Sequence, residues 1–218
     1  VAEAAEAGIG AAVVLSGGFA EAGPEGRRLQ DELTRIASEA GIALVGPNCQ
    51  GTINLVDGNA LYLDRIPEPL PVGSTALISQ SGTILTALLN NSRGIRFSHA
   101  VSSGNEAGLN AGAMMDHLLD DPRVTAIAAF LETIRDVDTF LGACDKAARL
   151  GKSIVVLKVG ETEAAMAAAA AHTGALAVPH RLVAALMERH GVLLVKTLEE
   201  MLEVIAAVSC ARGTGRRL

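Results

Sequence analysis

Short aliphatic runs alternate with helix-forming stretches along the whole chain, and that rhythm restricts it to a narrow set of folds. In the first part, strands are predicted at Ala11–Leu15 and Ile42–Val45, with a helix at Pro24–Ala40 between them. Pro24 suits a first helical turn and Gly41 a C-terminal stop. In the second part the spacing predicts strands at Ala76–Ser79, Phe97–Ser102, Val124–Leu131, Ser153–Lys158 and Val192–Val195. Helices are predicted at Gly82–Asn91, Asn110–Leu119, Val137–Leu150, Pro179–His190 and Leu198–Val208. Strand–helix repeats of this length imply right-handed crossovers and an α/β fold with a doubly wound parallel sheet. The composition agrees. Half of the residues are hydrophobic but only 2% are aromatic, so Ala, Val, Ile and Leu must build the core. Strands covered on both faces by helices use that recipe.

Between the two parts, residues 51–73 show weak periodicity and carry Pro67, Pro69 and Pro71. This proline-rich end is read as the link between a first domain, residues 1–72, and a second, residues 73–218. A nucleotide-binding α/β domain opens with a strand and a glycine-rich turn. This sequence opens in a helix-like segment, Val1–Ala7, so the first domain is expected to be only the C-terminal part of a Rossmann-like unit.

The net charge of −6, with no basic block beyond Arg212, Arg216 and Arg217, argues against nucleic-acid binding. Cys49, Cys144 and Cys210 are odd in number and far apart. That spacing argues against a disulfide framework or a zinc site and for a reducing cytoplasm. No apolar run approaches the length of a membrane span, and no signal-like N-terminal segment is present. The expectation is a soluble, cytoplasmic protein with no metal of its own.

Ligands of doubly wound sheets sit beyond the carboxyl ends of the strands. Ser79, Ser103, Glu132 and Gly160 all fall at or just past such ends. Ser79-Gln80-Ser81-Gly82-Thr83 closes a strand and opens a helix, where unpaired N–H groups and the positive dipole end favour phosphate. The same pattern also suits an ordinary turn with an N-cap serine. Far downstream, an alanine run leads into His172-Thr173-Gly174. A neutral imidazole, with a pKa of about 6.5, is a competent nucleophile near neutrality. It needs one nitrogen free and its other N–H held by an acceptor, which a carboxylate such as Glu132 provides. Backbone N–H groups at Gly82–Ile84, with hydroxyls of Ser79, Ser81 and Thr173, would balance the phosphoryl charge. Gly174 permits close approach. The plainer readings are a surface histidine in an alanine-rich helix and a solvated carboxylate. His99, His117, His180 and His190 lack such surroundings and are assigned to surfaces or helix ends. Cys49 has no histidine beside it in sequence and is read as structural.

Seven motifs in order resemble the nucleoside-diphosphate-forming acyl-CoA synthetases, the superfamily of acetate–CoA ligase (ADP-forming) and the alpha subunit of succinyl-CoA synthetase. They are Gly17-Gly18-Phe19-Ala20-Glu21, Gly46-Pro47-Asn48-Cys49-Gln50-Gly51, Ser79-Gln80-Ser81-Gly82, Ser103-Gly104-Asn105, Leu131-Glu132, Lys158-Val159-Gly160 and His172-Thr173-Gly174-Ala175. The resemblance implies a flavodoxin-like, succinyl-CoA synthetase-like domain at 73–218, preceded by the end of a CoA-binding domain at 1–72. It implies an acid–CoA ligase module that interconverts acyl-CoA, ADP and phosphate with a carboxylic acid, CoA and ATP. His172 matches the transiently phosphorylated histidine and Glu132 the glutamate that orients it. Ser79, Gln80, Ser81, Gly82, Thr83, Thr173 and Gly174 match the phosphate-binding positions, and Asn48, Cys49 and Gly51 the CoA-binding ones. ATP or ADP and Mg2+ would come through an ATP-grasp domain or beta subunit, in an oligomer acting on a small carboxylic acid. The sequence departs from the pattern at Gln50, Gly108, Glu161 and Ala171. Related domains also serve as regulatory modules in fusions with protein acetyltransferases, which is the alternative reading. A flavin-binding module is disfavoured by the scarcity of aromatic residues.

Overall fold

The computed structural model describes residues 1–66, 71–160 and 180–210. Helix α1 (Ala2–Glu6) precedes strand β1 (Ala11–Val13), helix α2 (Pro24–Glu39) and strand β2 (Ala43–Val45). β1 and β2 pair in parallel as a small sheet of their own. Leu33 and Ala37 of α2 pack there against Ile42 and Leu44.

The second part builds strand β5 (Thr75–Ser79), helix α3 (Gly82–Leu89), strand β6 (Phe97–Ser102), helix α4 (Ala111–Leu119) and strand β7 (Ala126–Leu131). Helix α5 (Val137–Leu150), strand β8 (Ser153–Lys158), helix α6 (His180–Arg189), strand β9 (Leu193–Val195) and helix α7 (Leu198–Cys210) complete it. The parallel strands lie side by side in the order β6-β5-β7-β8-β9. Numbered along the chain, that is second, first, third, fourth and fifth, the flavodoxin-like winding.

Side chains alternate across the strands. Ile78 of β5, Ile127, Ala129 and Leu131 of β7, and Ile154 and Val156 of β8 face α4, α5 and α6, where they meet Met115, Phe140 and Met187. Their neighbours Leu77, Ala128, Phe130, Val155 and Leu157 face α3 and α7, where they meet Leu85, Leu88 and Met201. Every residue of β5 and β7 is buried, which is why these strands read as near-continuous apolar runs.

Residues 51–66, placed by the sequence in the first domain ahead of the proline-rich link, instead join the sheet of the second. Strands β3 (Gly51–Asn54) and β4 (Asn59–Tyr62) form a hairpin, and β3 pairs antiparallel with β6. Among the described residues the sheet thus has seven strands, two of them supplied by residues assigned from sequence to the first domain. The hairpin covers the edge that β6 would otherwise expose. Its turn is closed by Asn54, whose Oδ1 accepts from the Asp57 N–H at 2.9 Å, with Gly58 left-handed at φ 70°. Residues 67–70 lie outside the described residues.

His99, expected at a surface or helix end, is a β6 residue only 8% exposed. Its Nδ1 has no hydrogen-bond partner among the described residues. Burial pushes its pKa down, opposed by Asp121, whose Oδ2 lies 4.0 Å from Nε2. Folding therefore favours the neutral imidazole, whereas the unfolded chain gains a proton as pH falls below about 6.5. Stability is full above that value and declines as pH drops through it. We expect the melting temperature of His99→Gln to fall less between pH 7 and pH 5 than that of the parent. An equal fall in both would remove His99 from the acid response.

Candidate functional site

The carboxyl ends of β5, β6 and β7 meet where the winding of the sheet reverses. β5 lies between β6 and β7. The chain leaves β5 for α3 on one face and β7 for α5 on the other, so the two turns part and a crevice opens between them. Gln80 spans it. Its Oε1 accepts from the N–H groups of Glu132 at 2.6 Å and Thr133 at 2.9 Å. Its Nε2 donates to the Thr133 carbonyl at 2.9 Å and to Oε1 of Glu106 at 2.8 Å. On the far side, Lys158 Nζ donates to the Glu132 carbonyl at 2.8 Å. The Glu132 backbone is held at both its N–H and its C=O, while its side chain stays partly exposed on a polar cleft.

That cleft is shared between the two parts of the chain. Glu132, Thr133 and Arg135 form one wall; Glu21, Asn48 and Asn105 form another. The loop after β6 docks on the end of β2: Asn105, Ala107 and Leu109 donate their N–H groups to the carbonyls of Pro47, Gly46 and Leu44. Gly104 allows this approach, being left-handed at φ 59°. Asn48, left-handed at φ 57° after the cis Gly46–Pro47 bond, donates through Nδ2 to Asn105 Oδ1 at 3.2 Å. Asn105 Nδ2 in turn donates to Gln30 Oε1 at 2.9 Å and to the Glu21 carboxylate. Partial burial pushes the Glu21 carboxyl up. The bonds from Asn105 and from the N–H groups of Phe19 and Gly18 outweigh it and hold the group below the usual carboxylate range.

The residues expected to cradle phosphate divide into two kinds. Ser79 is fully buried; its hydroxyl donates to the Ser81 carbonyl at 2.7 Å and accepts from the Ser81 N–H at 3.2 Å. The Ser81 hydroxyl caps α3, accepting from the Ile84 N–H at 3.4 Å. The side chains of Ser79, Gln80 and Ser81 therefore build the turn. What the turn offers outward is backbone: the N–H groups of Gly82 and Thr83 have no partner among the described residues. Thr83 is exposed in the first turn of α3. A Cβ at Gly82 would lie 2.7 Å from Cδ of Gln50. Gln50, a departure from the family pattern, accepts through Oε1 from Tyr62 at 3.0 Å and Thr86 at 2.9 Å, tying the hairpin to α3.

Of the three residues matched to CoA binding, only Asn48 reaches the cleft. Cys49 is buried, its thiol donates to the Val14 carbonyl at 3.4 Å, and burial pushes its pKa up, the environment of a structural thiol. Gly51 opens β3 at φ 99°, and a Cβ there would lie 1.9 Å from the Leu61 carbonyl oxygen. Its side-chain position is closed by the hairpin. His172, Thr173 and Gly174 lie outside the described residues.

Glu106, Thr133 and Arg135 are not singled out by the sequence. Glu106 is the least visible of them, a charged residue in a loop that turns out to be 6% exposed. Its one sequence signal is its place directly after Asn105 in the loop that closes β6. No group of three or more potential metal-ligating His, Cys, Asp or Glu side chains occurs among the described residues, and none of their helices is long and apolar enough to cross a membrane.

Residues 72–208 match the family described as succinyl-CoA ligase like flavodoxin domain. Over 219 residues the chain is 34% identical to acetate–CoA ligase (ADP-forming) II subunit alpha of Pyrococcus furiosus, covering 99% of this chain and 47% of that protein. It is 37% identical to a trans-feruloyl-CoA synthase from an unknown prokaryotic organism, covering 94% of this chain and 30% of that one. The chain thus spans less than half the length of either relative. Among solved structures, the dinucleotide forming acetyl-coenzyme A synthetase 1 of Candidatus Korarchaeum cryptofilum, in complex with phosphate and ADP, matches with a TM-score of 0.87. That match has 31% identity and covers 94% of this chain and 44% of that one.

Proposed function

The chain belongs to the family of succinyl-CoA ligase like flavodoxin domains, within the nucleoside-diphosphate-forming acyl-CoA synthetases, and from that premise we propose that it is the CoA-ligase module of an acid–CoA ligase (ADP-forming) working through a phosphohistidine at His172. Residues 1–50 are read as the end of the CoA-binding unit, with the hairpin 51–62 belonging structurally to the ligase sheet. The observation that carries the reading is the doubly anchored Glu132 backbone beside the open N-terminus of α3.

In the direction of phosphoenzyme formation from ATP, a ring nitrogen of His172 attacks the γ-phosphorus. The P–N bond forms as the bond to ADP breaks. Glu132 accepts the other ring N–H and offsets the positive charge that the imidazole acquires. An acceptor that orients an imidazole must itself be fixed, and Gln80 and Lys158 fix the backbone that carries it. The N–H groups of Gly82 and Thr83 face the phosphoryl oxygens as preorganised donors. On transfer onward, the P–N bond breaks and the phosphoryl group passes to the carboxylate, giving an acyl phosphate that CoA converts to the thioester with release of phosphate. An ATP-grasp domain or subunit supplies the nucleotide site and its Mg2+, and the acid is a small carboxylate held at the polar cleft.

The test is to incubate the chain with its ATP-grasp partner and γ-labelled ATP. The expected product is a protein-bound label that is stable in base and lost in acid, as a phosphoramidate is. Absence of any label would favour the regulatory reading. Glu132→Gln retains the shape of the side chain but weakens the acceptor, so labelling should slow by about 100-fold, in the range for a lost orienting or proton-handling group. Labelling at the parent rate would take Glu132 out of the mechanism.

A further inference from the structure

Glu106 sits behind the crevice with its carboxyl almost wholly enclosed. It is 6% exposed, and its backbone is left-handed at φ 54°. A left-handed conformation is costly for a residue with a side chain and persists only where the surroundings enforce it. A buried carboxyl is costly as well unless its oxygens are bonded. Here Oε1 accepts twice, from Gln80 Nε2 at 2.8 Å and from Ser103 Oγ at 2.9 Å. Oε2 has no hydrogen-bond partner among the described residues. Burial pushes this carboxyl up despite those bonds. The fold thus tolerates strain and desolvation at one residue, and the residue it bonds, Gln80, is the one that grips the Glu132–Thr133 backbone.

The geometry of the amide explains what Glu106 does. A glutamine side chain can be turned end for end within nearly the same volume. Only one orientation accepts from the Glu132 and Thr133 N–H groups. In the other, an NH2 group would face two N–H donors. Glu106 Oε1 offers an acceptor to the opposite end of the amide, and the Thr133 carbonyl offers a second. Together they leave the amide oxygen facing β7.

We propose that Glu106 is a positioning residue for the phosphoryl-transfer reaction, acting through Gln80 to hold the Glu132–Thr133 backbone at the crevice. The inference rests on the proposed role of Glu132. Its physical core, the Glu106–Gln80–Glu132 relay, has a readout independent of catalysis.

Two measurements test it in the full protein with its ATP-grasp partner. The first is hydrogen exchange of the peptide containing Glu132 and Thr133. Glu106→Ala and Gln80→Met should each raise its exchange rate about 10-fold or more, while Glu106→Gln, whose amide oxygen still accepts from Gln80, stays within about threefold of the parent. The second is the initial rate of γ-label incorporation against ATP concentration. Glu106→Ala and Gln80→Met should each lower the limiting rate by about 10- to 100-fold, as loss of an orienting partner does. Half-saturating ATP should shift by less than about threefold, since ground-state binding is untouched. Glu106→Gln should recover most of the rate, and the double variant should be no slower than the slower single one, because both act on one relay.

Unchanged exchange in Glu106→Ala, or multiplicative losses in the double variant, would overturn the inference. Should Glu106→Ala fail to fold, Gln80→Met decides, and its labelling and exchange at parent rates would count against the relay. Raised exchange with an unlabelled parent protein would support the relay and defeat the phosphohistidine reading instead.

Discussion

His172→Asn is expected to abolish the acid-labile label, lowering its incorporation from γ-labelled ATP by at least about 1,000-fold, the order seen when a covalent nucleophile is removed. Asparagine keeps a polar side chain of similar reach but has no basic nitrogen to attack phosphorus. The variant therefore separates chemistry from folding, provided its far-ultraviolet circular dichroism and melting temperature match the parent. It also separates the nucleophile from its support. Glu132→Gln and Gln80→Met should slow labelling yet leave the fully labelled level reachable at long times, whereas His172→Asn should leave no slow phase. A label of parental size on His172→Asn would place the phosphoryl group on another residue and end the proposed mechanism.

Gly104→Ala should be the most damaging single methyl in the described part of the cleft. The added Cβ would lie 2.3 Å from the Pro47 carbonyl oxygen and 2.6 Å from that of Asn48, both rigid backbone atoms. The residue is also left-handed at φ 59°, which costs a non-glycine residue about 1–2 kcal/mol. Overpacking adds about 1–3 kcal/mol. The sum, about 2–5 kcal/mol, corresponds to roughly a 10 °C loss in melting temperature for a chain of this size. The loop after β6 would have to lift from the end of β2, breaking the Asn105–Pro47 and Asn48–Asn105 bonds that close the cleft. Labelling and CoA-dependent turnover should fall with it. Gly142→Ala is the control. That glycine lies on the exposed side of α5, and an added Cβ would meet nothing within 4 Å, so alanine there should stabilise by about 0.5–1 kcal/mol. Equal melting temperatures for Gly104→Ala and the parent would show that the loop docks more loosely than its backbone bonds imply.

Which parts of this are legible in the sequence follows from where the determining contacts lie. β6, α5 and β8 fall at the predicted residues Phe97–Ser102, Val137–Leu150 and Ser153–Lys158. Burial on both faces writes β8 as the aliphatic run Ile154–Leu157, and capping writes the start of α5 as Asp136 and its stop as Gly151. The hairpin reads only as a weakly periodic stretch of the first domain although Asp57-Gly58 is a recognisable turn pair. Its strands are short, and β4 is largely exposed, so the periodicity that would reveal them is weak. At the rim, Glu132 and the 79–83 turn stand out because they follow strand ends. The division of labour among them does not: Ser79, Gln80 and Cys49 are spoken for by Ser81, Glu106 with Glu132, and Val14.

Local chemistry written along the chain was therefore enough to set the α/β class, most of the parallel strands and the rim on which Glu132 and the 79–83 turn lie, since each depends on residues within a few positions of one another. The winding order of the sheet, the attachment of the hairpin to β6, and the burial of Glu106 behind Gln80 were decided only by the tertiary structure. They depend on which distant strands become neighbours, and that is settled by competition for the same buried surface, which no short stretch of sequence records.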